Sequence, residues 1–139
     1  MDSGAYLLLI RLRRDATIAV GGLGEIAFRR GWYIYAGSAM LGLTARIARH
    51  CRRGKKLHWH IDYLLACPAA QLVECAVFPS ANRLECALNR RVLRLKGAEA
   101  AAKGFGSSDC RCGCPAHLAF FKTKPDLGRF AERASSEET

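Results

Sequence analysis

Two short strings put tyrosines where they could do chemistry. Gly4-Ala5-Tyr6 opens one apolar run, and Trp32-Tyr33-Ile34-Tyr35-Ala36-Gly37 forms a second. The second leads straight into an arginine-rich amphipathic segment, Leu41 to Lys56. Two tyrosine-bearing strands ahead of a basic helix point to phosphodiester cleavage. That reaction needs an activated water, charge stabilisation on the phosphoryl oxygens and help for the leaving group. The plainer reading of each tyrosine is a half-buried packing residue with its hydroxyl at the sheet edge.

Two further clusters carry reactive side chains. His58, His60 and Asp62 recur at period two. On a strand all three share a face; on a helix only His58 and Asp62 do. They read equally as phosphate contacts and as polar decoration of a helix start where Trp59 and Tyr63 pack. Cys110, Cys112, Cys114 and His117 form a CxCxCxxH string. Four soft donors can hold Zn²⁺, but structural sites ordinarily space their cysteines as CxxC. Thiols without a metal are therefore the favoured reading, and zinc is the alternative. Cys110 with Asp109 and His117 is a weaker pattern for a cysteine nucleophile.

The elements that must position these residues follow from local pattern. Ala5 to Leu12 reads as a strand. Thr17 to Val20 and Glu25 to Phe28 read as short strands around Gly21-Gly22-Leu23-Gly24, a hairpin loop rather than a nucleotide-binding turn. Gly31 to Gly37 is a further strand, and an antiparallel sheet from these pieces brings Tyr6 near Tyr35. Leu43, Ile47 and His50 recur at helical spacing, and Gly54 marks the end of that helix. A second short helix spans His58 to Cys67, stopped by Pro68. Leu72 to Phe78 is a strand. Ser80 is the expected N-cap of a helix running to Leu95, with Ala98 to Ala102 extending or following it. Gly104 to Gly113 is a loop, and Leu118 to Phe121 a last strand. The mixture gives the α+β class, with one domain over residues 1–134 and a frayed tail over 135–139.

Composition sets bounds on partners. The chain has 139 residues and a formal charge of +10, from 22 Lys/Arg and 12 Asp/Glu. Residues 1–60 hold 11 basic against 3 acidic residues, and residues 61–139 hold 11 against 9. A basic half of this kind is an electrostatic footprint for phosphates. No apolar run approaches the roughly 18 residues of a membrane span, and no lipidation motif is present, so no membrane partner is expected. Seven cysteines without a secretory signal are read as reduced thiols of a cytoplasmic protein.

Taken in order, these residues resemble the GIY-YIG endonuclease superfamily over residues 4 to about 122. Gly4-Ala5-Tyr6 stands for Gly-Ile-Tyr, and Tyr35-Ala36-Gly37 for Tyr-Ile-Gly. Arg46 and His50 match the family's helical arginine and histidine, with a one-residue insertion around Met40 to Gly42. Glu85 in Asn82-Arg83-Leu84-Glu85-Cys86 matches its acidic metal ligand. The strings Leu57-His58-Trp59-His60-Ile61-Asp62-Tyr63-Leu64 and Gly104-Phe105-Gly106-Ser107-Ser108-Asp109-Cys110 resemble an uncharacterised prokaryotic branch. The resemblance implies a small three-stranded antiparallel central sheet flanked by helices, with an extra C-terminal loop and strand. It also implies a single Mg²⁺ or Mn²⁺ on Glu85, a phosphate held by Arg46, a water oriented or deprotonated by Tyr6, and Tyr35 completing the network. A catalytic Tyr6 requires cationic neighbours, Arg46 and His50, to lower its pKa. Arg49, Arg52, Arg53, Lys55, Lys56, His58 and His60 are the expected nucleic-acid contacts. The family's late asparagine has no clear counterpart; Asn89, Ser108 and Asp109 are the candidates beside the site. The expected function is a metal-dependent endonuclease on structured or damaged DNA, targeted with a protein partner. The alternative is a non-catalytic nucleic-acid-binding module on the same fold.

Overall fold

The computed structural model describes residues 2–106, 113–128 and 130. Its scaffold is strand β1 (Gly4–Leu12), which is buried along its length except for Arg11. Both faces of β1 are covered, which is why Leu7-Leu8-Leu9-Ile10 is a continuous apolar run and not an alternating one. Tyr6, Leu8, Ile10 and Leu12 point into one core, and Ala5, Leu7 and Leu9 into the other.

Around β1 the chain closes an antiparallel sheet. After a separate hairpin of β2 (Ala16–Ala19) and β3 (Glu25–Phe28), β4 (Gly31–Ala39) pairs with one edge of β1. Strand β5 (Ala70–Pro79) pairs with the other edge. Beyond β4 come β7 (Leu118–Phe121) and then the short β6 (Glu99–Ala100). The order is β5-β1-β4-β7-β6, so the sheet has five strands where three were expected. The stretch Ala98 to Ala102, expected to extend or follow the helix, follows it and supplies β6. Its edge position pairs Glu99 and Ala100 with Phe120 and Ala119, and this tertiary pairing overrides local helix propensity.

Three helices among the described residues cover the sheet. Helices α1 (Leu43–Cys51) and α2 (His60–Leu65) lie over the Tyr6 face, through Leu43, Ile61 and Leu64. Helix α3 (Glu85–Leu93) covers the opposite face with Leu88 and Val92. It begins later than Ser80 suggested. The Ser80 hydroxyl accepts the Asn82 N–H at 3.0 Å and the Ser80 amide donates to Ser3, so this residue closes the end of β5 and not a helix. Together the elements form an α+β fold. The expected 135–139 tail lies outside the described residues.

Gly4 shows why a glycine opens the first motif. Its φ is +148°, and a Cβ there would sit 2.3 Å from the Phe78 carbonyl oxygen on β5. Gly4→Ala must strain the backbone or separate β1 from β5. We expect a loss of about 1–3 kcal/mol, read as a lowered melting temperature. A melt equal to that of the wild type would mean that β5 shifts freely to make room.

Candidate active site

Register brings the two tyrosines together. Leu8 pairs with Tyr35 and Tyr6 with Gly37, so Tyr6 and Tyr35 share a face of neighbouring strands. Their ring centroids are 6.3 Å apart. The Tyr6 ring lies directly across Gly37, where a Cβ would fall 2.5 Å from Cζ and from the hydroxyl. The glycine of the second motif is thus the floor on which the tyrosine of the first motif rests.

Helix α1 delivers Arg46 and His50 one turn apart onto this pair. The Tyr6 hydroxyl and His50 Nε2 are 2.8 Å apart, and both residues are buried. Burial pushes the His50 pKa down to about 4; Lys55, Arg46 and Arg49 push the same way against Asp62. His50 is therefore neutral at physiological pH. With its ring proton on Nδ1, Nε2 accepts from the Tyr6 hydroxyl. Burial also raises the Tyr6 pKa, and the hydrogen bond and charge of Arg46 only partly oppose the rise. The expectation that cationic neighbours depress this phenol is not met, because His50 carries no charge and desolvation outweighs Arg46. Tyr35 is raised too, first by burial, then by Tyr6, with Arg46 opposing and Asp62 and Glu85 adding.

Arg46 itself is half-buried. It donates to the Ser38 carbonyl at 3.1 Å, and its guanidinium lies 4.2 Å from the centre of the Trp59 ring. Arg49 lies against the same ring at 4.5 Å. The Arg49 fork is bidentate to Asp62, at 2.8 and 2.9 Å. Asp62 is fully buried and also accepts the N–H groups of His58 and Trp59, each at 2.9 Å. Burial alone would raise its carboxyl, but Arg49 and these two amides outweigh burial and hold it below the usual carboxylate range.

Other members of the basic run have structural partners. Lys55 donates to the carbonyls of Arg49, His50 and Arg52, closing the C-terminal end of α1. Arg53 donates to the Ala70 carbonyl at 2.6 Å. His60 Nδ1 accepts the Gly106 amide at 2.8 Å. Arg52, Lys56 and His58 are exposed, and the His58 ring lies 4.8 Å from that of Trp59. The role of Trp59 as a platform between two arginines went unread in the sequence; the signal available was a lone tryptophan next to an arginine-rich helix.

Glu85 opens α3, and its charge is felt at Tyr35. Its Oε2 is buried with no hydrogen-bond partner among the described residues. An unpartnered carboxylate oxygen is a donor of the type a hard divalent cation takes, while Oε1 lies 3.9 Å from Arg83 Nη1. One turn on, Asn89 is buried; its Nδ2 donates to the Ala116 carbonyl at 2.6 Å, while its Oδ1 has no partner among the described residues. Of the cysteine string, Cys114 and His117 meet Cys86 of α3, with all three ligand atoms within 4.8 Å of one another. Cys110 and Cys112 lie outside the described residues, as do Ser108 and Asp109.

Two outcomes follow from this geometry. Arg49→Met leaves the Asp62 carboxylate buried without its counterion and should cost about 3–5 kcal/mol in denaturant unfolding. Arg49→Met combined with Asp62→Leu should recover part of that loss; no loss in the single variant would mean that Asp62 is solvated in solution. His50 gives a pH signature. Its folded pKa lies near 4 against 6.5 unfolded, so below pH 6.5 the unfolded chain binds a proton the folded chain refuses. Stability should be at its full value above 6.5 and fall by up to about 3 kcal/mol as pH drops toward 4. His50→Gln should flatten that part of the melting-temperature profile, and an unchanged profile would place the titration elsewhere.

No curated protein and no solved structure matches the chain. One family does, described as a domain of unknown function, and its match runs over residues 5–138. That span takes in both tyrosine strands, all three helices and the Cys86–Cys114–His117 cluster, so this chain belongs to the DUF123 family.

Proposed function

We propose that this chain is a metal-dependent endonuclease that hydrolyses phosphodiester bonds in DNA. The observation that carries the reading is the buried 2.8 Å contact between the Tyr6 hydroxyl and His50 Nε2, with the Tyr35 ring centred 6.3 Å from that of Tyr6 and Arg46 acting on the phenol. A phenol and a neutral imidazole so paired form a proton relay. As the Tyr6 oxygen takes a proton from the attacking water, the hydroxyl proton of Tyr6 moves to His50 Nε2. Neither group needs a charge at rest, which agrees with their burial. Arg46, stacked on Trp59, offers its remaining donors to a phosphoryl oxygen in the planar geometry such an oxygen accepts. Glu85 would hold one Mg²⁺ or Mn²⁺, which when bound supplies further charge stabilisation to the phosphate.

The basic surface supports DNA as the substrate through its backbone. Arg52, Lys56 and His58 are exposed, whereas Arg49, Arg53, Lys55 and His60 have partners within the protein. The smaller free set favours recognition of shape and phosphate over base sequence. Branched or damaged DNA, reached with a targeting protein, fits that economy of contacts.

Single-turnover cleavage of plasmid, forked and four-way DNA with Mg²⁺ or Mn²⁺ tests the reading. Folded Glu85→Gln should lose metal-dependent cleavage while still binding DNA. Arg46→Lys keeps the charge but loses the fork, and should slow the reaction on the order of a hundredfold. Tyr6→Phe should abolish the reaction. Wild-type rates in Glu85→Gln would sink this mechanism. Absence of cleavage by the wild type with DNA binding intact would make the chain a binding module.

A further inference from the structure

We propose that Cys86, Cys114 and His117 hold a structural Zn²⁺ that ties the first turn of α3 to the segment leading into β7. The three donors come from two distant parts of the chain and meet in space, their ligand atoms within 4.8 Å of one another. The separation of Cys86 Sγ from His117 Nε2 is 3.7 Å. Zinc bonds of about 2.3 Å to sulfur and about 2.0–2.1 Å to nitrogen, opened to a tetrahedral angle, put those two atoms about 3.5–3.6 Å apart. That pair already has the spacing of two zinc ligands, and the widest pair of the cluster, within 4.8 Å, must close by up to about 1 Å to take the ion. His117 is 4 % exposed and both cysteines are partly covered, so the site is sheltered from competing solvent. Two thiolates and an imidazole are the donor set of a borderline-soft cation, distinct from the oxygen set that Glu85 offers.

The surrounding backbone is already built to hold the ligands in place. His117 donates its amide to the Phe105 carbonyl at 2.8 Å and accepts from Ala36 at 3.0 Å, beside Tyr35. Asn89, one turn beyond Cys86, grips the Ala116 carbonyl at 2.6 Å. Zinc in this position adds a tie beside the Asn89–Ala116 hydrogen bond between the same two segments. Its nearest consequence is for Glu85, the residue before Cys86, which opens a short helix with no side-chain N-cap and would be held more firmly in place. The inference does not rest on the nuclease reading, since a non-catalytic domain would need the same tie.

The test is elemental analysis of the full chain purified without added metal and dialysed against a weak chelator. One equivalent of zinc per chain is expected, released by a thiol-modifying mercurial and lost in Cys86→Ser and in His117→Ala. Should those variants not fold, the wild type still decides the matter. Replacing its metal with Co²⁺ should give thiolate-to-cobalt charge-transfer absorption and the intense visible bands of a tetrahedral site. Removing the metal should lower the melting temperature, because binding energy at such a site is folding energy. A Cys51→Ser/Cys75→Ser variant, which removes two exposed thiols elsewhere, should keep its zinc. A small fraction of an equivalent in the wild type, stoichiometric iron or copper, or absent cobalt bands would overturn the proposal.

Discussion

The fully buried carboxylate of Asp62 is the interaction on which the rest of this architecture depends. It takes two hydrogen bonds from Arg49 and two from the backbone at the start of α2. An isolated charge in that position would be prohibitive, and only near-complete satisfaction makes it tolerable. The geometry it demands is strict. Helix α1 must present Arg49 inward, α2 must begin at its own place, and Trp59 must lie between them. That fixes the ring against which Arg46 stacks, and with it the direction of the guanidinium toward Tyr6. One buried ion pair thus sets the relation between the basic helix and the tyrosine strands.

The tyrosine face shows how burial and chemistry are coupled. The Tyr6 ring crosses Gly37 at a distance no other residue allows, so its hydroxyl meets His50 at a set place. The same enclosure keeps both groups neutral. A tyrosinate poised beside cations would be a stronger base, but desolvation opposes it here. For the proposed nuclease, a relay between two neutral partners is the arrangement such burial would permit.

On the opposite face of the sheet, neighbouring residues of α3 carry opposite metal preferences. Glu85 offers oxygen and Cys86 offers sulfur. Consecutive residues at the start of a helix point in different directions, so Cys86 meets Cys114 and His117 while Glu85 stays outside that cluster. Hard and soft donors kept apart in this way would let a fixed ion and an exchangeable one sit close without competing for ligands.

Much of the scaffold was legible from local pattern. Strands β1, β4 and β7 announced themselves as apolar runs, and α1 by its helical period, because burial on one or two faces writes directly into residue spacing. The glycines beside the tyrosines, and the four-residue step from Arg46 to His50, were read through a family resemblance, and the fold brings Tyr6, Tyr35, Arg46 and His50 together. What tertiary structure alone decided were the non-local pairings. The β2–β3 hairpin was legible, but its separation from the main sheet, the five-strand order and β6 at the edge depend on which surfaces meet, which no local window encodes. The run Arg49 to Lys56 read as one phosphate-binding face, yet Arg49, Arg53 and Lys55 turn to Asp62, Ala70 and the end of α1. A charge in sequence has no direction; its partner is set by the fold. Cys86 stood alone in the sequence for that reason, and only the packing of α3 against the start of β7 placed it beside Cys114 and His117.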